Sequence, residues 1–103
     1  MIETRKNRRF TTTNATCMFH QDEGFEPMRK VLNISMGGML VEKEPSENIK
    51  VGIGNIVKVS LCFENDDILI VECRILREQE RSIAIKFDLL TPEQEKILQK
   101  YTH

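Results

Sequence analysis

Apolar and polar positions alternate through the second half of the chain. In residues 56–63, Val57, Val59, Leu61 and Phe63 take turns with Ile56, Lys58, Ser60 and Cys62. A period of two with β-branched residues predicts a strand. Residues 68–76 keep Leu69, Val71, Cys73 and Ile75 on one face, and the other face turns polar at Glu72 and Arg74. Residues 82–89 set Ile83, Ile85, Phe87 and Leu89 against Ser82, Ala84, Lys86 and Asp88. Asn65, Asp66 and Asp67 suit a tight turn between the first two strands, and the polar stretch 78–81 joins the second to the third. Two hairpins follow. Residues 11–20, 28–35 and 37–43 also read as extended. Residues 42–50 are charged and carry Pro45, the signature of a surface loop.

The pattern changes at Thr91. Thr91 suits an N-cap, Pro92 the first helical position, and Gln94 completes a capping box. Ile97, Leu98 and Tyr101 then share one side, which predicts a helix over 91–102. A helix this short is marginal alone in water, so its apolar stripe must dock on the β core. The expected fold is all-β with a terminal helix: a six-stranded antiparallel barrel capped by a C-terminal helix.

With 103 residues, the chain is read as one domain: a flexible basic arm at 1–10, a barrel at 11–89 and the helix at 91–102. An apolar fraction of 40% and a charged fraction of 30% describe a globular protein. The formal net charge of -1 argues against a general polyanion binder but leaves room for one local basic cluster. No apolar run is long enough to span a membrane, and the basic start has no apolar segment behind it to make a secretory signal. Cys17, Cys62 and Cys73 are odd in number and lack metal spacing, so reduced thiols in a cytosolic protein, with no metal site and no cofactor, are expected.

Two segments carry candidate chemistry. Arg5-Lys6-Asn7-Arg8-Arg9 places four cations within five residues. It reads either as a solvated, disordered terminus or as a clamp for an anion, because guanidinium forks bind phosphate bidentately and stack on aromatic planes. Asn33-Ile34-Ser35-Met36-Gly37-Gly38 joins two apolar strands. It reads either as a tight turn whose glycines supply positive φ, or as a binding segment. In the second case Asn33 and Ser35, two apart, project to one side, and Gly38 lets a ligand approach the backbone.

Taken together, the segments resemble a known family. Arg-x-x-x-Arg, here Arg5 and Arg9, is followed by Asn-x-Ser-x-x-Gly, here Asn33, Ser35 and Gly38, with 24 positions from Arg9 to Asn33. This pair, in this order, is similar to the signature of PilZ domains, receptors for the bacterial messenger cyclic di-GMP. The resemblance covers nearly the whole chain, including the strand order and terminal helix. It implies a PilZ-type barrel, a non-enzymatic receptor, and a site in which Arg5 and Arg9 hold phosphate and guanine groups. Asn33 and Ser35 would hydrogen-bond the guanine side and Gly38 would leave room, with Arg8 and Gly37 as helping neighbours. It also implies a downstream effector protein, at family level from motility, pilus or exopolysaccharide machinery. Ala84 stands where many members carry glycine, a departure outside the ligand signature.

Three other readings compete. An enzyme would need an activated group, yet His20 is read as an exposed strand-end residue, His103 as frayed, and Asp22-Glu23 and Asp66-Asp67 as solvated turns. A DNA or RNA binder would interleave aromatics with a basic groove, whereas only Phe10 adjoins the arginines. A ligand-independent PilZ-fold adaptor would need neither motif, and such relatives usually lack the arginine pair.

Overall fold

In the computed structural model, the described residues are 14–20, 27–45 and 52–102. They form β1 (Thr16–His20), β2 (Arg29–Ile34), β3 (Gly38–Glu42), β4 (Ile56–Cys62), β5 (Ile68–Glu78), β6 (Ser82–Leu89) and α1 (Pro92–Gln99). The strands close into a barrel in the order β1-β2-β3-β6-β5-β4. Every neighbouring pair is antiparallel.

Alternation builds the inside. Val57, Val59 and Leu61 of β4 face Leu69, Val71, Cys73 and Ile75 of β5, and all are buried. Ile83, Ile85 and Phe87 of β6 join them with Val31, Ile34, Met39 and Val41 from β2 and β3. The β4–β5 hairpin turns at Asp66, whose φ of 66 is left-handed, a conformation Asp tolerates better than most residues.

Three irregularities shape the wall, and each inserts one residue into one strand. In β2 the register moves between Val31, opposite Val41, and Asn33, opposite Leu40. Val31 and Ile34 therefore both point inward, although three positions apart, and Leu32 and Asn33 stay outside. In β6 the step from Phe87, opposite Cys73, to Leu89, opposite Glu72, does the same. Leu89 was expected to line the core with Phe87, but the bulge at Asp88 turns it out, and it is 71% exposed. The third lies at Leu76 in β5, between Ile75 and Arg77. Such kinks supply the bending that closes a small barrel.

The capping box forms as the sequence predicts. The Gln94 N–H donates to the Thr91 hydroxyl at 3.2 Å, and the Thr91 N–H donates to the Gln94 side-chain oxygen at 3.0 Å. Regular helix stops at Gln99, short of the expected 102. Lys100 and Tyr101 instead close tighter turns onto Ile97 and Leu98. Leu98 is buried in the core cluster, and the Tyr101 ring stacks on Phe63 with centroids 4.0 Å apart. The Gln94 amide donates to the Ile70 carbonyl at 2.9 Å, so the helix is held to the β4–β5 hairpin at both ends.

Antiparallel order decides what meets where. The β2–β3 turn, the β4–β5 turn, the start of β1 and the β6–α1 junction all lie at one rim. The opposite rim carries two buried cations that the sequence did not flag. Arg29 is 3% exposed; its guanidinium lies 4.8 Å from the centre of the Phe19 ring and donates to the Glu42 carbonyl at 3.2 Å. Lys43 pairs with Glu78 at 3.4 Å.

Candidate functional site

The segment Asn33–Gly38 forms the end of β2 and its turn into β3. Asn33 is half-buried on the outer wall because the β2 bulge puts it there. Among the described residues its side-chain amide makes no hydrogen bond, so its donor and acceptor face outward for a ligand or water.

Ser35 behaves differently. It is 2% exposed, and its hydroxyl accepts from the Gly37 N–H at 3.2 Å and points its proton at the Gly38 carbonyl at 3.4 Å. Its own N–H donates to the same carbonyl at 2.8 Å. Ser35 thus staples the turn from within, and Asn33 and Ser35 do not offer one shared outer edge.

The glycines work by space. Among the described glycines only Gly54 has a positive φ, so the turn does not use Gly37 or Gly38 for that purpose. A Cβ on Gly38 would lie 2.1 Å from the Ile85 carbonyl oxygen. Gly38 is required where β3 crosses close to β6, a reason unrelated to ligand access. Gly37 is exposed, and its carbonyl accepts from the Phe87 N–H at 2.9 Å, tying the turn to β6.

Arg5, Arg8 and Arg9 lie outside the described residues. The nearest described backbone is informative: the Val31 N–H donates to the Ala15 carbonyl at 2.9 Å, so Ala15 still pairs with β2 before β1 proper begins. From Thr16 back to Asn14 the chain runs along β2 in the direction of Ile34.

Across the outer wall the strand register aligns further side chains with this segment. Asn33 is opposite Leu40, Leu40 opposite Ala84, and Ala84 opposite Arg77. In the next row Gly38 is opposite Lys86, and Lys86 opposite Arg74. Arg74 is engaged: it donates to the Gly54 carbonyl at 2.6 Å and pairs with Asp88 at 3.3 Å. Sequence reading missed these rows because register across β3, β6 and β5 is a property of pairing, not of any one strand.

Elsewhere, Cys17 and Cys73 are buried in the barrel, and burial pushes both thiols up to about 12. His20 ends β1, exposed, and shares a short hydrogen bond with the Ser60 hydroxyl. Among the described residues no cluster of His, Cys, Asp or Glu has the arrangement of a metal site, and no helix is long and apolar enough to cross a membrane.

Solved structures share this architecture. K. pneumonia MrkH in complex with c-di-GMP superposes with a TM-score of 0.77 at 13% identity, over 97% of this chain and 50% of that one. The chain therefore spans half the length of that relative. The PilZ domain of YcgR from Escherichia coli, with c-di-GMP, gives 0.74 at 12% identity over 90% of this chain and 86% of that one. An uncharacterized Legionella protein gives 0.56 at 16% identity over 86% and 84%. At such identities the likeness speaks for the fold. No curated protein matches the sequence. The sequence model of the PilZ domain matches residues 3–103. With that match over nearly its whole length and a six-stranded antiparallel barrel closed by one C-terminal helix, the chain belongs to the PilZ domain family.

Proposed function

We propose that this protein is a non-enzymatic receptor for cyclic di-GMP. The ligand is held between Arg5 and Arg9 on one side and the Asn33–Gly38 segment on the other, and the bound state is read by a partner protein. The observation that carries the reading is the pairing of Ala15 with Val31. Arg9 is six residues before Ala15, a span of up to about 20 Å when extended. Ser35 is only four residues beyond Val31, about 13 Å along the strand. The arginines are therefore within tether length of the turn. Family membership and two c-di-GMP-bound structural neighbours support the same ligand.

The roles divide by chemistry. Arg5 and Arg9 supply bidentate contacts to phosphate or to the O6/N7 edge of guanine, with Arg8 adding charge. Asn33 offers an unengaged amide to the guanine side. Ser35 and Gly38 act by holding the turn and its approach to β6, and Gly37 presents exposed backbone. Each hydrogen bond to a charged group contributes roughly 1.5–3 kcal/mol, so a few of them reach micromolar affinity, about −8 kcal/mol, after the cost of ordering the arm.

Calorimetric titration with cyclic di-GMP, beside GTP and cyclic di-AMP, tests this. The protein binds the first selectively, and Arg9→Ala weakens binding at least tenfold. A folded wild type that ignores the messenger at millimolar concentration overturns the reading and leaves a ligand-independent adaptor.

A further inference from the structure

We propose that the outer face of the β4–β5 hairpin is a two-fold self-association surface, which seats the same face of a second copy of this chain. β4 lies three strands from β3 in either direction around the barrel, so this face is on the opposite side from the Asn33–Gly38 turn. The inference does not depend on the receptor reading. Among the described residues seven large apolar side chains are exposed, and five of them, Ile53, Ile56, Ile68, Ile70 and Leu76, belong to β4, β5 or the turn that enters β4. That turn is held to β5 by the Gly54 N–H, which donates to the Ile75 carbonyl at 2.7 Å. Single exposed apolar residues are ordinary on any surface; five gathered at one hairpin mark a contact.

The register gives this face a symmetry of its own. Ser60 is opposite Ile70, Lys58 opposite Glu72, and Ile56 opposite Arg74. The charged row is central, and it extends to His20 on β1, opposite Lys58, and to Leu89 on β6, opposite Glu72. A two-fold axis normal to the wall, through the middle of this row, sets Lys58 of each copy against Glu72 of the other. The same rotation sets Ile70 against Ile56, Ser60 against Arg74, and Ile68 against the turn that carries Ile53. Apolar positions thus meet apolar ones, and opposite charges meet at the centre. Lys58 and Glu72 are exposed, and among the described residues neither makes an ion pair or a side-chain hydrogen bond. A different protein would not need the face to match itself; the two-fold match selects a second copy. The formal net charge of -1 sets little whole-molecule repulsion against the contact. From Ile68 to Leu76 the face runs about 27 Å, and the strands from β1 to β6 span about 14 Å, so its plan area is about 400 Å². That is about half of what each partner buries in a standard interface, which makes the dimer reversible and concentration-dependent.

The test is sedimentation of the ligand-free protein over a range of concentrations, for wild type and for Ile70→Glu, Lys58→Glu, Glu72→Lys and the double charge swap. Lys30→Glu, an exposed position on β2 with the same change in net charge as Lys58→Glu, serves as the control. Circular dichroism checks that each variant is folded. Wild type should pass from monomer to dimer at tens of micromolar, roughly −6 kcal/mol. Ile70→Glu should weaken the dimer at least tenfold, and Lys58→Glu and Glu72→Lys about fivefold each. The double swap should return it to within about twofold of wild type, because only the two-fold arrangement re-forms both pairs. Lys30→Glu should leave it unchanged. A wild type that stays monomeric at about 500 µM overturns the inference and leaves the face to a different partner. So does a dimer that Ile70→Glu leaves within twofold of wild type, or one that the double swap fails to restore.

Discussion

The Tyr101 phenol donates a hydrogen bond to the Asp67 carboxylate at 2.6 Å, and the Lys100 ammonium reaches the same oxygen at 3.4 Å. These contacts fasten the end of the helix to the β4–β5 turn. The hydrogen bond from Tyr101, with the charge of Lys100, holds Asp67 below the usual carboxylate range. The same bond, with burial, pushes the Tyr101 hydroxyl above its ordinary value.

The pair makes stability depend on pH at both extremes. Asp67 is depressed, so its contribution is present above the ordinary value of about 4 and is lost as pH falls through the folded value. Tyr101 is raised, so its contribution is present below about 10 and is lost as pH rises through the folded value. Tyr101→Phe keeps the stack on Phe63 and removes the bond. Melting temperature measured against pH should flatten at both ends in this variant, and the Asp67 carboxyl, followed by NMR, should titrate nearer its ordinary value.

Gly38→Ala separates structure from binding. The added carbon meets the Ile85 carbonyl at 2.1 Å, and a backbone atom cannot swing aside as a side chain would. Overpacking of this kind costs about 3 kcal/mol. Urea unfolding should read that loss in the absence of any ligand. A binding defect in this variant then reports a displaced β3–β6 crossing.

Asn33 and Ser35, neighbours in one motif, should respond in opposite ways. Asn33→Ala removes an outward amide with no partner among the described residues, so unfolding free energy changes by less than about 0.5 kcal/mol while affinity for cyclic di-GMP falls. Ser35→Ala removes the staple within the turn and costs about 1 kcal/mol of stability, with a smaller loss of affinity than Arg9→Ala. Paired unfolding and titration measurements on the two variants check this.

The cysteines should sort by position. Cys17 and Cys73 are sealed in the barrel with thiols pushed up to about 12, whereas Cys62 is half-buried on the outer wall. At neutral pH a thiol reagent should label Cys62 in a fast phase and the other two only through unfolding. Cys62→Ser should abolish the fast phase, and denaturant should restore two equivalents.

Much of this architecture is legible residue by residue. The period-two runs in β4, β5 and β6 name most of the core, and Thr91, Pro92 and Gln94 mark the helix start. What escapes is whatever depends on the neighbouring strand. Nothing in the run Val31-Leu32-Asn33-Ile34 announces that one residue is extra; only pairing with β3 makes it so, and that extra residue turns Asn33 to the outside. Leu89 leaves the core for the same reason in β6. The spacing of Ser35 and Gly38 does not announce that the hydroxyl turns into its own loop or that the glycine is pressed against β6, because both contacts depend on how the turn folds back and on the strand beside it. Arg29 reads as a surface cation until the barrel closes over it beside Phe19.

The first and last described segments meet at one turn: Asn14 donates to Glu64, and Tyr101 to Asp67. Tension applied between those two segments loads that turn before it reaches the barrel wall. The helix, held mainly by side chains, should peel away at low force. β1, laced to β4 along its length and pulled from that same rim, should then unzip pair by pair from Thr16 toward His20.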